Sequence, residues 1–224
     1  MNPPPVDLYT PPHKGQRARI FQFSQQAGTL QYSDQAALLR FIDELSTIRD
    51  EFRLHATLEE KYIHPILANR VPGGAKKLNQ AHRDMHEQLD NLVHHLEVLK
   101  ANDTHFEKQN EMGLEFYRAW NRFIAFYLVH INEEEEEVQP TLRALCEEQE
   151  LTTAFNTIVG SMSPAELTGM LRMMIPAMNP DERTGLLSGI KTHASPQAFQ
   201  NICTLAEGVL MPEDWNDLKE RLGI

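Results

Sequence analysis

The sequence predicts an all-α fold, in which residues 10–145 form an up-down-up-down four-helix bundle and residues 150–224 form a C-terminal extension of short helices packed on it. Three observations support this. Apolar residues recur three and four positions apart through four long segments, cap residues, prolines or glycines separate these segments, and alternating runs of β-branched residues are absent. Short connections make successive helices antiparallel neighbours.

The first helix is predicted to open at the cap residue Thr10, with Pro11 and Pro12 in its first turn, and to run to about Gln26, just before Gly28.

The second helix is predicted to begin at the cap Ser33 and to be interrupted at Pro65 and by the stretch 71–74. Its apolar stripe consists of Leu38, Leu39, Ile42, Leu45, Ile48, Phe52 and Leu58. A third helix follows from about Gly74 to Lys100, with the stripe Leu78, Met85, Leu89, Leu92, Leu96 and Leu99.

The fourth helix is predicted to start with a capping box, Thr104 with Glu107, and to continue to about Pro140. Its aromatic residues recur at helical spacing, so we expect them in the core: Phe116, Trp120, Phe123, Phe126 and Tyr127.

The C-terminal extension has prolines 16 residues apart, three of them behind a Ser or Asn cap, so each unit is predicted to be a helix of about three turns. The prolines are Pro164, Pro180, Pro196 and Pro212, and the caps are Ser163, Asn179 and Ser195. The pattern fits a degenerate helical repeat; the simpler interpretation, which we prefer, is four short helices packed on the bundle.

Composition limits the class of protein. The chain has 224 residues, 41% of them hydrophobic, and 32 acidic against 21 basic residues give a net charge of -11. This balance argues against nucleic acid or an anionic membrane as a partner and favours a cation. The sequence has no leader pattern and no long apolar run, so we expect a cytoplasmic protein. Cys146 and Cys203 are far apart and are expected to be free thiols.

Seven potential metal ligands follow one pattern. Residues four apart lie on one face of a helix, so each of three pairs presents two donors together. Chance alone would give about one His-x-x-x-Glu in this composition, but the antiparallel helices place all seven donors at one end of the bundle. The donors are His13, His55, Glu59, His82, His86, His130 and Glu134. The other histidines are expected not to be ligands: His64, His94, His95, His105 and His193.

The glutamate run 133–137 would ordinarily be a solvated acidic surface. Five consecutive positions must span both faces of a helix, so at least one carboxylate points inward, where it needs a cation. Imidazoles with carboxylates and without Cys favour iron first, then manganese, with zinc as a further alternative. No His has a Glu three residues before it, which argues against the ferritin-like class.

The arrangement over residues 10 to about 140 resembles hemerythrin and the hemerythrin-like (HHE) cation-binding family. The start His13-Lys14-Gly15-x-Arg17 and the doubled glutamates 59–60 and 134–135 are also similar to this family.

The resemblance implies two iron ions with an oxo or hydroxo bridge. One ion would be held by His82, His86 and His130, the other by His13 and His55, and both would be bridged by Glu59 and Glu134.

One departure affects the expected function. Oxygen-carrying hemerythrins have Asp at the fifth position after the last His, whereas Glu134 occupies the fourth and Glu135 the fifth here. This favours sensing, iron-handling or redox members of the family over reversible oxygen carriage.

Three hypotheses follow. The first is a di-iron protein that binds or senses O2, NO, peroxide or iron, with a small diatomic molecule or peroxide as ligand and a protein partner possible through the C-terminal helices. The second is a di-iron oxidoreductase of the peroxidase, oxidase or NO and iron-repair type, for which Glu60 and Tyr62 are the candidate proton donors. The third is an interaction protein with a helical-repeat tail and histidines that bind no metal.

Overall fold

The structure, a computed structural model, describes residues 6–101 and 106–224. These residues form helices and contain no strand, as predicted. The helices are α1 (Thr10–Thr29), α2 (Gln35–Tyr62), α3 (His64–Arg70), α4 (Lys76–Ala101), α5 (Phe106–Glu133), a π-helical segment (Glu134–Val138), α6 (Gln139–Leu145), α7 (Glu148–Ser161), α8 (Pro164–Ala177), α9 (Pro180–His193), α10 (Pro196–Val209) and α11 (Pro212–Leu222). No helix in these ranges is long and apolar enough to cross a membrane.

The chain divides into two compact units. The first contains Arg19–Gly160 and the described residues before Thr10, and the second contains Thr10–Ala18 and Ser161–Ile224. Helix α1 therefore begins in the second unit and ends in the first. Helix α7, whose sequence lies mostly within the predicted extension, belongs to the first unit except for its last residue, Ser161.

Side-chain pairs establish that α2 and α4 are antiparallel in the first unit. Arg53 Nη2 lies 2.5 Å from Asp90 Oδ2, and one helical turn and a half later on α2, Glu59 Oε2 lies 3.2 Å from His82 Nε2. The residue number rises on one helix as it falls on the other. The two helices are antiparallel although α3 and the stretch 71–75 connect them.

Aromatic contacts establish the other directions. Phe41 and Phe52 of α2 contact Phe116 and Tyr127 of α5, with ring centroids 5.6 and 4.8 Å apart, so α2 and α5 are parallel. Phe23, late in α1, stacks on Phe41, early in α2, at 4.2 Å. These directions match the predicted up-down-up-down bundle.

Two apolar clusters fill the first unit. The larger lies along the bundle and includes Ile20, Phe23, Phe41, Phe52, Ala56, Met85, Phe116, Trp120, Tyr127 and Ile131. The smaller closes one end and comprises Leu8, Tyr9, Ile63, Leu67, Leu78, Val138, Leu142 and Leu151. On each of α2, α4 and α5, the predicted metal ligands fall in sequence between members of the two clusters. Apolar side chains thus flank the ligands on both sides.

The second unit confirms the 16-residue spacing. Helices α8 to α11 begin at the four predicted prolines, and Ser163, Asn179 and Ser195 cap the first three. Helix α8 packs on α10 and α9 on α11. The unit has a core of its own, which includes Leu171, Ile175, Leu187, Cys203, Trp215 and Leu218. Because it has its own core, the extension is a folded unit rather than a set of isolated helices.

Several helix boundaries differ from the predicted ones. Thr10 is already helical, so the cap position of α1 is Tyr9, whose side chain makes no cap hydrogen bond. Asp34, not Ser33, caps α2 by accepting from the Ala37 N–H at 3.0 Å. The predicted fourth helix is divided by the π-helical segment. The predicted Thr104 capping box lies outside the described residues.

Candidate metal centre

The centre is built from the ends of three long helices of the first unit. His55 and Glu59 lie in the last turns of α2, His82 in the first turns of α4, and His130 at the end of α5. Glu134 begins the π-helical segment. All five side chains are buried, with Glu134 completely inaccessible to solvent.

Each carboxylate contacts two imidazoles. Glu59 Oε1 lies 2.9 Å from His55 Nε2, and Glu59 Oε2 lies 3.2 Å from His82 Nε2. Glu134 Oε1 lies 3.4 Å from His130 Nε2 and 3.7 Å from His82 Nε2. The two oxygens of Glu59 thus face different histidines, one on α2 and one on α4.

The local charge favours a cation. Burial alone would lower the pKa of His82, but hydrogen bonding to Glu134 and Glu59 and their negative charge raise that pKa to about 10. Two carboxylates buried side by side require positive charge, which a proton on His82 or a divalent cation can supply. The other ring nitrogen of His82, Nδ1, lies 3.0 Å from Oε1 of the exposed carboxylate of Glu60.

The π-helical segment orients the last ligand. Within the run 133–137, Glu134 is buried, Glu133 and Glu135 are half-buried, and Glu136 and Glu137 are exposed. The inference that one carboxylate must point inward is confirmed. A single π turn within an α-helix is a frequent feature of functional sites.

His64, which the sequence does not predict to be a ligand, lies close to these side chains. One ring nitrogen of His64 lies within 4.8 Å of donor atoms of Glu59, His82 and Glu134, and all four residues are buried. The His64 ring stacks on the His82 ring at 5.2 Å. Burial lowers the pKa of His64, although the charge of Glu59 and the hydrogen bond to Asn79 act to raise it. The lowered pKa favours the neutral imidazole, which is the form that binds metals. Periodicity could not find this residue, because His64 starts a new helix after α2 ends.

The other predicted ligands have different environments. His13 is buried on α1, in the segment that belongs to the second unit, and its ligation stays a prediction. His86 is half-buried on α4, and burial, followed by the charge of Arg53, lowers its pKa. It does not belong to the group formed by Glu59, His64, His82 and Glu134. His94 and His193 are exposed, and His95 Nε2 lies 3.1 Å from the Met112 carbonyl oxygen.

Tyr9 lies near enough to the site for the charges of Glu59 and Glu134 to act on it, and no sequence pattern predicts this. The side chain is fully buried, and burial, then the negative charges of Glu59 and Glu134, raise the pKa of its phenol well above the usual value. The segment 6–9 that carries it is held by the buried amide of Gln139. The phenol is thus kept protonated, with the charges of the two carboxylates acting on it.

A helical bundle that buries histidines and paired carboxylates at one end defines a cation-binding four-helix-bundle protein. Residues 5–142 match the family model described as the hemerythrin HHE cation-binding domain. This match covers more than half of the chain, so the chain belongs to that family, as the residue pattern indicated. Comparisons with curated proteins and with solved structures give no match.

Proposed function

We propose that this protein is a non-haem di-iron protein whose histidine and carboxylate centre binds or senses O2, NO, peroxide or iron. The observation that supports it best is the buried group Glu59, His64, His82 and Glu134, whose donor atoms lie within 4.8 Å of one another. Two imidazoles and two carboxylates suit a borderline metal such as iron better than calcium or magnesium, which prefer all-oxygen sites. Iron would supply reversible one-electron chemistry and a position for a small ligand.

The residues that would hold the ions are the buried histidines and the two carboxylates, with His13 and His86 included from the family resemblance. The apolar cluster around Ile63, Leu78 and Val138 restricts water at this end of the bundle. Low water content strengthens every electrostatic interaction among the ligands. The same apolar cluster admits small neutral molecules more readily than ions. This selectivity fits a diatomic ligand or peroxide.

A di-iron oxidoreductase is the second candidate, and Tyr9 is the observation that favours it. A reductive reaction of oxygen or peroxide requires protons, and Tyr9 holds a proton beside Glu59 and Glu134. Glu60, paired with His82 Nδ1 and exposed to solvent, offers a route by which protons reach the buried centre. Tyr62, the other candidate from the sequence, is half-buried with the Lys61 ammonium 4.9 Å from its ring centroid.

Metal content tests the proposal. The purified protein should contain close to two irons per chain. Glu134→Gln and His82→Ala should lower this content strongly, because each removes a buried donor. Glu136→Gln and His94→Ala are matched controls on the same helical segments, since both side chains are exposed. Equal metal content in all four variants would refute the assignment of the centre.

The reaction with oxygen distinguishes the two candidates from a carrier. Glu at the fourth position after His130, rather than Asp at the fifth, leads us to expect rapid and irreversible oxidation of the ferrous protein. Stopped-flow absorption after mixing with oxygen measures this. A visible spectrum that returns to its initial form on degassing would instead support oxygen carriage. Turnover of peroxide that is slowed in Tyr9→Phe, at unchanged iron content, would favour the oxidoreductase.

A further inference from the structure

His64 occupies a position that the helical pattern of ligands does not cover. It begins α3, two residues after the end of α2, and Pro65 follows it in the first turn. Only about 2% of its surface is exposed. A buried imidazole needs partners for both ring nitrogens, since each is either a donor or an acceptor.

One of these nitrogens has a protein partner. His64 Nδ1 lies 2.5 Å from Asn79 Oδ1, at the start of α4. An amide oxygen can only accept a hydrogen bond, so Nδ1 carries the proton and Nε2 of the neutral ring carries the lone pair. Asn79 thereby fixes both the tautomer and the direction of the ring, as a hydrogen bond to the non-ligating nitrogen does for most histidine ligands of metals.

The other nitrogen has no hydrogen-bond partner within residues 6–101 and 106–224, although it is buried. Leaving a buried polar atom unsatisfied costs about 1–3 kcal/mol. The acceptor-only carboxylates of Glu59 and Glu134 cannot satisfy a lone pair. A cation held jointly by Nε2 and these carboxylates would satisfy the lone pair.

We propose that His64 is itself a metal ligand, which binds through Nε2 in the same coordination shell as His82, Glu59 and Glu134, and that Asn79 is its positioning residue. This inference rests on the proposed metal-binding function. It assigns to this centre an imidazole donor outside the seven-residue ligand pattern, one that comes from the start of α3 rather than from a bundle helix. The His64 ring stacks on the His82 ring, and the His82 ring contacts the His130 ring edge-on at 4.9 Å, so His64 and His130 both lie next to His82.

Cobalt(II) is a suitable probe, because a paramagnetic ion shifts the exchangeable N–H proton of each ligated histidine out of the diamagnetic region of the NMR spectrum. In the cobalt-loaded wild type we expect one such signal from His64 Nδ1–H, protected from exchange by Asn79. His64→Phe keeps an aromatic ring but has no nitrogen. It should lose one signal and weaken cobalt binding by at least ~10-fold, the lower end for a disturbed metal environment.

The matched control is His95→Phe, since His95 is a half-buried histidine of α4 whose Nε2 pairs with a backbone carbonyl oxygen. It should retain every shifted signal. Asn79→Ala should keep the His64 signal but broaden it through faster solvent exchange, which a merely structural role of Asn79 would not cause. This variant also tests the proposal if His64→Phe does not fold.

The outcomes distinguish a failure of the proposed metal-binding function from a failure of the His64 assignment. If the wild type binds no cobalt and no iron, the proposed function fails. If the wild type binds metal but His64→Phe has the same shifted signals and the same affinity, His64 is not a ligand and the proposed function stands. If His64→Phe is unfolded, an unchanged exchange rate of all shifted signals in Asn79→Ala overturns the proposal.

Discussion

Gln139 should control the segment that carries Tyr9, and Gln139→Ala tests this. The side chain is about 2% exposed and bonds at both ends of its amide. Its Oε1 accepts from the Leu8 N–H at 3.0 Å, and its Nε2 donates to the Val6 carbonyl oxygen at 3.0 Å. Gln139 begins α6, directly after the π-helical segment that starts at Glu134. One amide therefore connects the ligand-bearing helix to the segment 6–9.

The two hydrogen bonds should not contribute equally. In Gln139→Ala the Val6 carbonyl oxygen keeps Arg143, whose Nη2 lies 3.3 Å away, as a donor. The Leu8 N–H is buried and loses its acceptor. The expected cost is that of one unsatisfied buried amide, about 2 kcal/mol, rather than the sum of two bonds. If the segment opens locally, this corresponds to a roughly 30-fold faster exchange of the Leu8 amide hydrogen.

Hydrogen exchange measured by NMR on the wild type and Gln139→Ala reports this directly. Gln149→Ala is the control, because Gln149 is an exposed glutamine of α7. It should leave the Leu8 exchange rate unchanged. An equally slow Leu8 amide in Gln139→Ala would refute the reasoning, since it would mean that water or another group satisfies this N–H as well as the amide does.

Three further predictions concern stability. In Gly113→Ala the new Cβ would lie 2.3 Å from the Tyr32 ring, so the free energy of unfolding in urea should fall by about 1–3 kcal/mol. Gly160 has open space around it, so Gly160→Ala should raise the free energy of unfolding by up to ~1 kcal/mol through helix propensity. Burial raises the pKa of the Tyr32 phenol, so its contribution to stability is complete below about pH 10 and is lost at higher pH, and Tyr32→Phe should flatten the alkaline limb of the stability profile. Arg183 is buried in the second unit and donates to the Ile175 carbonyl oxygen at 2.9 Å, so Arg183→Ala should destabilise that unit by about 2 kcal/mol. The exposed Arg221→Ala should have a smaller effect, because solvent screens its ion pairs. An equal effect of the two arginine changes, or a Gly113→Ala protein as stable as the wild type, would contradict the packing described.

Much of the fold was predictable because it depends on repeated local patterns. Apolar spacing identified the long helices, and cap residues followed by proline located the starts of α8, α9 and α10 to the residue. The capping boxes of Ser163 with Glu166 and Asn179 with Glu182 involve only neighbours in sequence. Local interactions of this kind do not depend on what the rest of the chain does.

The centre was only partly predictable for the same reason. His55, Glu59, His82 and His130 lie on regular helices, and Glu134 follows His130 by four residues, so helical periodicity predicts these positions. His64 and Tyr9 lie where the chain changes direction, and their placement depends on contacts with Asn79 and Gln139 that are distant in sequence. No spacing rule links such residues. The assignment of His13 to one centre with them remains a prediction.

The π-helical segment is a departure from regular α-helix at a predicted ligand, Glu134, and the local sequence does not predict it. In this segment the Gln139 N–H bonds to the Glu134 carbonyl oxygen, five residues back, instead of four. The extra residue in the turn leaves Val138 and Gln139 both buried, so one helix can present Glu134 to the metal centre, Val138 to the apolar cluster and Gln139 to the segment 6–9. Because adjacent positions of a regular α-helix are about 100° apart around its axis, the extra residue changes which of the following positions face the bundle. The glutamates 133–137 are chemically identical and carry no periodic signal, so the sequence does not predict the π turn.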